Sequence, residues 1–111
     1  QPYRIDKDHR TKVEVGDVHP GAELVATGDI LVFGRLAGIA HAGAGGDENA
    51  RIYALELAAT QLRIAAFIGA EEGGVRRGRT KPEAAIAQGG RIVILALERL
   101  GDVAQAGAPT A

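Results

Sequence analysis

Residues 12–36 read KVEVGDVHPGAELVATGDILVFGRL. Val13 and Val15 alternate with Lys12 and Glu14, the period of two expected of a half-buried strand. Gly16-Asp17 closes it, and His19-Pro20-Gly21 is a second turn signal. Residues 22–26 form a further short strand, and Thr27-Gly28-Asp29 turns again. Ile30, Val32 and Gly34 then alternate with Leu31, Phe33 and Arg35. Val13, Val15, Gly16 and Val18 map onto Leu31, Phe33, Gly34 and Leu36 at a constant shift of 18. A weaker echo carries residues 24–28 onto 85–89 at a shift of 61. Short strands, glycine corners at Gly16, Gly28, Gly34 and Gly89, and a fixed offset predict an all-β solenoid with three strands per turn. The alternative is a small sandwich or barrel with coincidental spacing.

The rest of the chain supports the same class. Residues 43–49, GAGGDEN, read as a loop. Tyr53, Leu55 and Leu57 alternate with Ile52, Ala54 and Glu56, and the alternation of residues 61–68 places Leu62, Ile64, Ala66 and Ile68 on one side. The alanines of 50–66 would also suit a helix, but a period of two runs through both halves. Residues 69–81 form a Gly-rich charged loop, and 84–87 and 91–97 are the last two strands. The β-helical unit is expected over residues 1–97, with residues 98–111 a flexible tail.

Composition excludes several kinds of chemistry. Of 111 residues, 16 are Gly and 4 Pro, about 18%, against a usual value of roughly 12%. Aromatic residues make up only 4%, so small aliphatics must fill the core. With no Cys there is no disulfide, thiolate metal site or thiol nucleophile, and with no Ser there is no Ser–His–Asp triad. A net charge of −1 gives no electrostatic case for nucleic acid. No apolar run is long enough to span a membrane. Met is missing even at position 1, so the chain is expected to be a piece of a longer protein.

Each candidate site has a plainer structural reading. His9, His19 and His41 have no close-spaced partner, so no metal is expected. Gly43-Ala44-Gly45-Gly46 lacks the Lys-Ser or Lys-Thr of a phosphate-binding loop. Arg76, Arg77, Arg79 and Lys81 form a basic cluster that reads as a solvated loop. Asp17 and Asp29 each follow a glycine and are expected to hydrogen-bond local backbone rather than act as acids. No catalytic constellation and no cofactor are expected. What remains is surface, because a short solenoid leaves apolar faces open to self-association or to a partner.

One run carries a resemblance. GDVHPGAELVATGDILVFGRLAGIAHAGAGGD, residues 16–47, resembles the C-terminal domain of MinC, the septum site-determining family. The ARIYAL of 50–55, the TQLRIA of 60–65, Pro82-Glu83, and Ile92 and Ile94 extend the likeness to about 95 residues. The resemblance implies a short right-handed, three-sided β-helix without enzymatic activity. It implies a homodimer through one face that binds the membrane-associated ATPase MinD. It further implies antagonism of FtsZ ring assembly, much of it owed to a separate N-terminal domain. The location implied is the cytoplasm, with recruitment by MinD to the inner face of the membrane.

The family's MinD-binding motif, R-S-G-Q, would place its last residue at Gln1. Ala37 and Ile39 stand where many members have Arg, which leaves Arg35 as the nearby cation, and Glu23 matches the family's GAE turn. Gln1, Glu23 and Arg35 are therefore the candidates for the MinD surface. Two other readings remain beside this one: a fragment of a trimeric hexapeptide-repeat acyltransferase, suggested by the 18-residue repeat, and a purely structural solenoid.

Overall fold

Alternation at a period of two becomes strand wherever the chain can lay one turn over the last. The computed structural model describes residues 10–69 and 81–98. Among them are nine strands: β1 (Lys12–Val15), β2 (Glu23–Val25), β3 (Ile30–Leu36), β4 (Ile39–Ala42), β5 (Ile52–Leu57), β6 (Gln61–Ile64), β7 (Phe67–Gly69), β8 (Glu83–Gln88) and β9 (Arg91–Ala96). They form a five-stranded sheet, β1-β3-β5-β8-β9, and a four-stranded sheet, β2-β4-β6-β7. The alanine-rich stretch 50–66 is strand, not helix.

The first three members of each sheet are parallel and belong to three successive turns of one coil. A narrower third side joins the two sheets. There Val18 bridges Leu36, with Val18 N donating to Arg35 O at 2.8 Å and Ala37 N to Val18 O at 2.8 Å. Ala58 N donates in turn to Leu36 O at 2.9 Å. The result is a short β-helix. Its interior is built from Ile30, Leu36, Ile52, Leu62 and Ile64, all fully buried, with Ala40, Ala42, Ala54 and Ala59 between them. Large and small side chains alternate across a narrow space, which lets the sheets approach without voids.

The expected offset of 18 is the register between β1 and β3, where Val13 lies beside Leu31 and Val15 beside Phe33. It does not persist. Ile30 lies beside Ile52 and Ile39 beside Gln61, so the next turn advances by 22. The extra length is taken up by residues 43–51, where Gly46 N and Asp47 N both donate to Gly43 O. The echo at a shift of 61 has no structural counterpart, because β2 and β8 lie in different sheets.

Two further expectations are corrected. The alternation through 61–68 is not one strand: Ala65 takes a positive φ of 55° and folds β7 back antiparallel on β6. The polarity of β1 is also the reverse of what its valines suggest. Lys12 and Glu14 share register with the buried Ile30 and Val32 and so lie on the interior side, while Val13 and Val15 lie outside. Residues 30–33 are apolar on both sides, and the coil can enclose only one of them.

The coil ends where its strands reverse. β8 pairs antiparallel with β5, and β9 with β8. Gly69 of β7 packs against Ile92 of β9, closing the last turn across the two sheets. Residues 1–9, 70–80 and 99–111, with Gln1, the clustered Arg76, Arg77 and Arg79, and nearly all of the expected tail, lie outside the described residues.

Corner geometry explains two glycines. Gly16 turns with a φ of 115°, which a side chain rarely adopts. Gly34 lies directly over it, and a Cβ there would overlap the Gly16 carbonyl. Gly34→Ala is therefore expected to cost at least about 2 kcal/mol of stability in urea unfolding, because backbone must move to admit it. Ala65→Gly is expected to raise stability by about 0.5–1 kcal/mol, since it removes the left-handed strain of a non-glycine residue.

Candidate functional site

The polar side chains of the corners are engaged in building the coil. Asp17 Oδ1 accepts the backbone N–H of Arg35 at 2.9 Å, and Asp29 Oδ1 accepts that of Arg51 at 2.9 Å. Both aspartates hold backbone, as their turn positions suggest, but the backbone belongs to the next turn of the coil rather than to the local one. Asp47 Oδ1 accepts from Asn49 N at 2.9 Å, a local turn bond. Thr60 donates through Oγ1 to Ala37 O at 3.1 Å, and His41 Nε2 lies 3.1 Å from Ala65 O. His41 thus clips the strained β6–β7 turn to β4. His19 sits exposed in the turn before Pro20. Among the described residues no three His, Asp or Glu side chains gather as a metal ligand set.

The two described candidates for partner contact are on different sheets. Glu23 is exposed in β2, beside Ile39 of the neighbouring turn. Arg35 lies in β3 beside Glu56 of β5, and its Nε donates to Glu56 Oε2 at 3.2 Å. Its charge is already answered within the coil. Gln1 lies outside the described residues.

The outer sides of the sheets differ in chemistry. Outside β1, β3 and β5 stand Val13, Val15, Leu31, Phe33, Tyr53 and Leu55. Val13, Val15, Phe33 and Leu55 are 53%, 81%, 51% and 46% exposed. An apolar cleft of about 220 Å³ runs between Leu31, Phe33, Tyr53, Leu55 and Leu97. The outer side of the second sheet is mixed: Glu23, Ile39 and Gln61 form one row, and Val25, His41, Arg63 and Ile68 the next. An open apolar face is expected of a short solenoid, but its place is not evident from Val13 and Val15, whose alternation with Lys12 and Glu14 points them inward. Their match at 18 residues to Leu31 and Phe33, beside the buried partners Ile30 and Val32, is the signal that could have revealed it.

A coil whose corner aspartates are tied to backbone, with an apolar sheet turned outward, is a β-helical domain. The family model for the C-terminal domain of the septum formation inhibitor MinC matches residues 4–99, and the chain belongs to that family. A probable septum site-determining protein MinC from Thermosynechococcus vestitus is 67% identical over 51 residues, covering 46% of this chain and 19% of that protein. The corresponding protein of Symbiobacterium thermophilum is 48% identical over 94 residues, 85% of this chain and 40% of that protein. The chain therefore spans well under half the length of these relatives. A chain of the MinC:MinD cell division protein complex of Aquifex aeolicus shares the fold, with a TM-score of 0.59 at 22% identity, over 89% of this chain and 98% of that one.

The aspartate bonds and the Arg35 pair differ in what they contribute. Asp29→Ala leaves the partly buried Arg51 N–H without its acceptor and is expected to cost about 1–3 kcal/mol in urea unfolding, with Asp29→Asn costing less. Arg35→Ala breaks an exposed ion pair and is expected to change stability by under about 1 kcal/mol.

Proposed function

We propose that this chain is a non-enzymatic adaptor of bacterial division-site selection, which pairs with a second copy of itself and binds MinD to localise inhibition of FtsZ ring assembly. The observation that carries the reading is the apolar outer face of β1, β3 and β5. Parallel sheets are ordinarily covered on both sides, and here one side is left open with four large apolar side chains near half exposed or more. A second copy supplies a matching surface across a two-fold axis. Membership of the MinC family and the fold shared with a chain of a MinC:MinD complex support MinD as the partner.

Pairing doubles the contacts available to the partner. Each dimer presents two outer faces of the second sheet, so individually weak contacts gain avidity on a surface that concentrates MinD. Glu23 lies on that free side, whereas Arg35 is held by Glu56. No helix among the described residues is long and apolar enough to cross a membrane, and attachment runs through MinD. Antagonism of FtsZ follows from the position MinD gives to the domain. The acyltransferase alternative is disfavoured by the change in coil spacing from 18 to 22, since a hexapeptide solenoid keeps its period.

Light scattering of Phe33→Glu and of Val15→Glu is expected to show monomers where the parent chain is a dimer; a persistent dimer would place the contact elsewhere, and a trimer would overturn the reading. With MinD and ATP, the chain is expected to sediment with vesicles of anionic phospholipid. Equal sedimentation without MinD would refute recruitment by that partner.

A further inference from the structure

The first turn of the coil differs from the two that follow in one respect. Along the interior side of the five-stranded sheet, Lys12 lies in register with Ile30 and then Ile52, and Glu14 with Val32 and then Ala54. Two columns that are apolar and buried in the second and third turns thus begin with opposite charges in the first. These side chains line an open mouth of about 520 Å³ at the edges of β1 and β2, together with the outward Val13 and Val25 and with Arg10, Thr11, Ala26 and Thr27. Among the described residues β1 pairs only with β3, and β2 only with β4.

We infer that Lys12 and Glu14 make this end of the coil a terminus, so that a second copy of the chain cannot stack on it as a further turn. An apolar interior open at its end is a template for strand addition, and charges pointing inward at such an edge are a known physical remedy. Another turn laid over β1 would close the mouth and strip water from both groups. Backbone bonds along a four-residue strand do not offset the dehydration of two charges. At the opposite end β7, β8 and β9 reverse direction, and Gly69 of β7 packs against Ile92 of β9. Growth of the coil by strand addition at the Lys12 and Glu14 end is thereby opposed.

The test replaces the two charges by their counterparts in the second turn. Lys12→Ile with Glu14→Val is expected to form end-to-end assemblies in sedimentation velocity, with an apparent association constant at least about a hundredfold above that of the parent chain. Glu14→Val alone is expected to move the same way by less, which keeps the test open if the double variant unfolds. Exchange of the charges, Lys12→Glu with Glu14→Lys, is expected to leave the parent's mass distribution unchanged. Glu48→Val with Arg91→Ile, which adds similar apolar surface at exposed positions away from the mouth, is also expected to leave it unchanged. The inference is overturned if both Glu14→Val and the double apolar variant sediment as the parent does, if the charge exchange assembles, or if the control assembles as strongly.

Discussion

Everything in this domain depends on how closely one turn of backbone can lie on the next. Strands in a sheet are held about 4.8 Å apart, and at the corners of a coil that spacing must be kept while the chain changes direction. Gly34 above Gly16 gives the needed room, since a Cβ would meet the carbonyl below. Asp17 then supplies an acceptor for the Arg35 N–H where the ladder is interrupted, and Asp29 does the same for Arg51. The Gly-Asp pairs at 16–17 and 28–29 work alike, as one device: the glycine permits the corner, through its left-handed φ at Gly16 and its close approach to the Arg10 carbonyl at Gly28, and the aspartate supplies a replacement hydrogen bond.

That device accounts for the chemistry of the whole molecule. Asp17, Asp29, Asp47, Thr60 and His41 each lie within hydrogen-bonding distance of backbone groups, and Arg35 is paired with Glu56. Side chains that elsewhere might act on a substrate here maintain the spacing of turns. What they leave exposed is two broad outer faces of different character, one apolar and one mixed. The adaptor role proposed above, joining a copy of the chain and a different partner at once, would require two such surfaces that do not overlap.

Strand positions, the glycine corners at Gly16, Gly28 and Gly34, and the first inter-turn register were legible in the residues because each has a local cause: alternation, turn chemistry, and equal spacing; Gly89, expected as a further corner, instead turns the antiparallel β8–β9 hairpin. The polarity of β1 was not legible. Val13 and Val15 are the apolar set of their own strand, yet β1 takes its orientation from β3, where both sides are apolar and only Ile30 and Val32 face the interior. The hairpin at Ala65 carries no turn residue, so nothing in IAAFIG distinguishes a reversal from a continuing strand. The change of advance from 18 to 22 arises in a loop whose length is independent of the strands it joins. Of the candidates for partner contact, Glu23 was legible as an exposed carboxylate, whereas the engagement of Arg35 depends on Glu56, 21 residues away and brought near only by the register.

The loop over residues 43–51 has a consequence for how such coils vary. It folds upon its own Gly43 carbonyl and returns the chain to the start of β5 with the extra residues held outside the sheets. A turn can therefore lengthen at this corner without disturbing the stacking of its strands, since the entropic cost of loop length grows only slowly. Insertions, epitopes or fluorescent labels at this corner would be carried at an edge of the coil, leaving its strands and both of its faces as they are so long as the Gly46 and Asp47 bonds to the Gly43 carbonyl are kept.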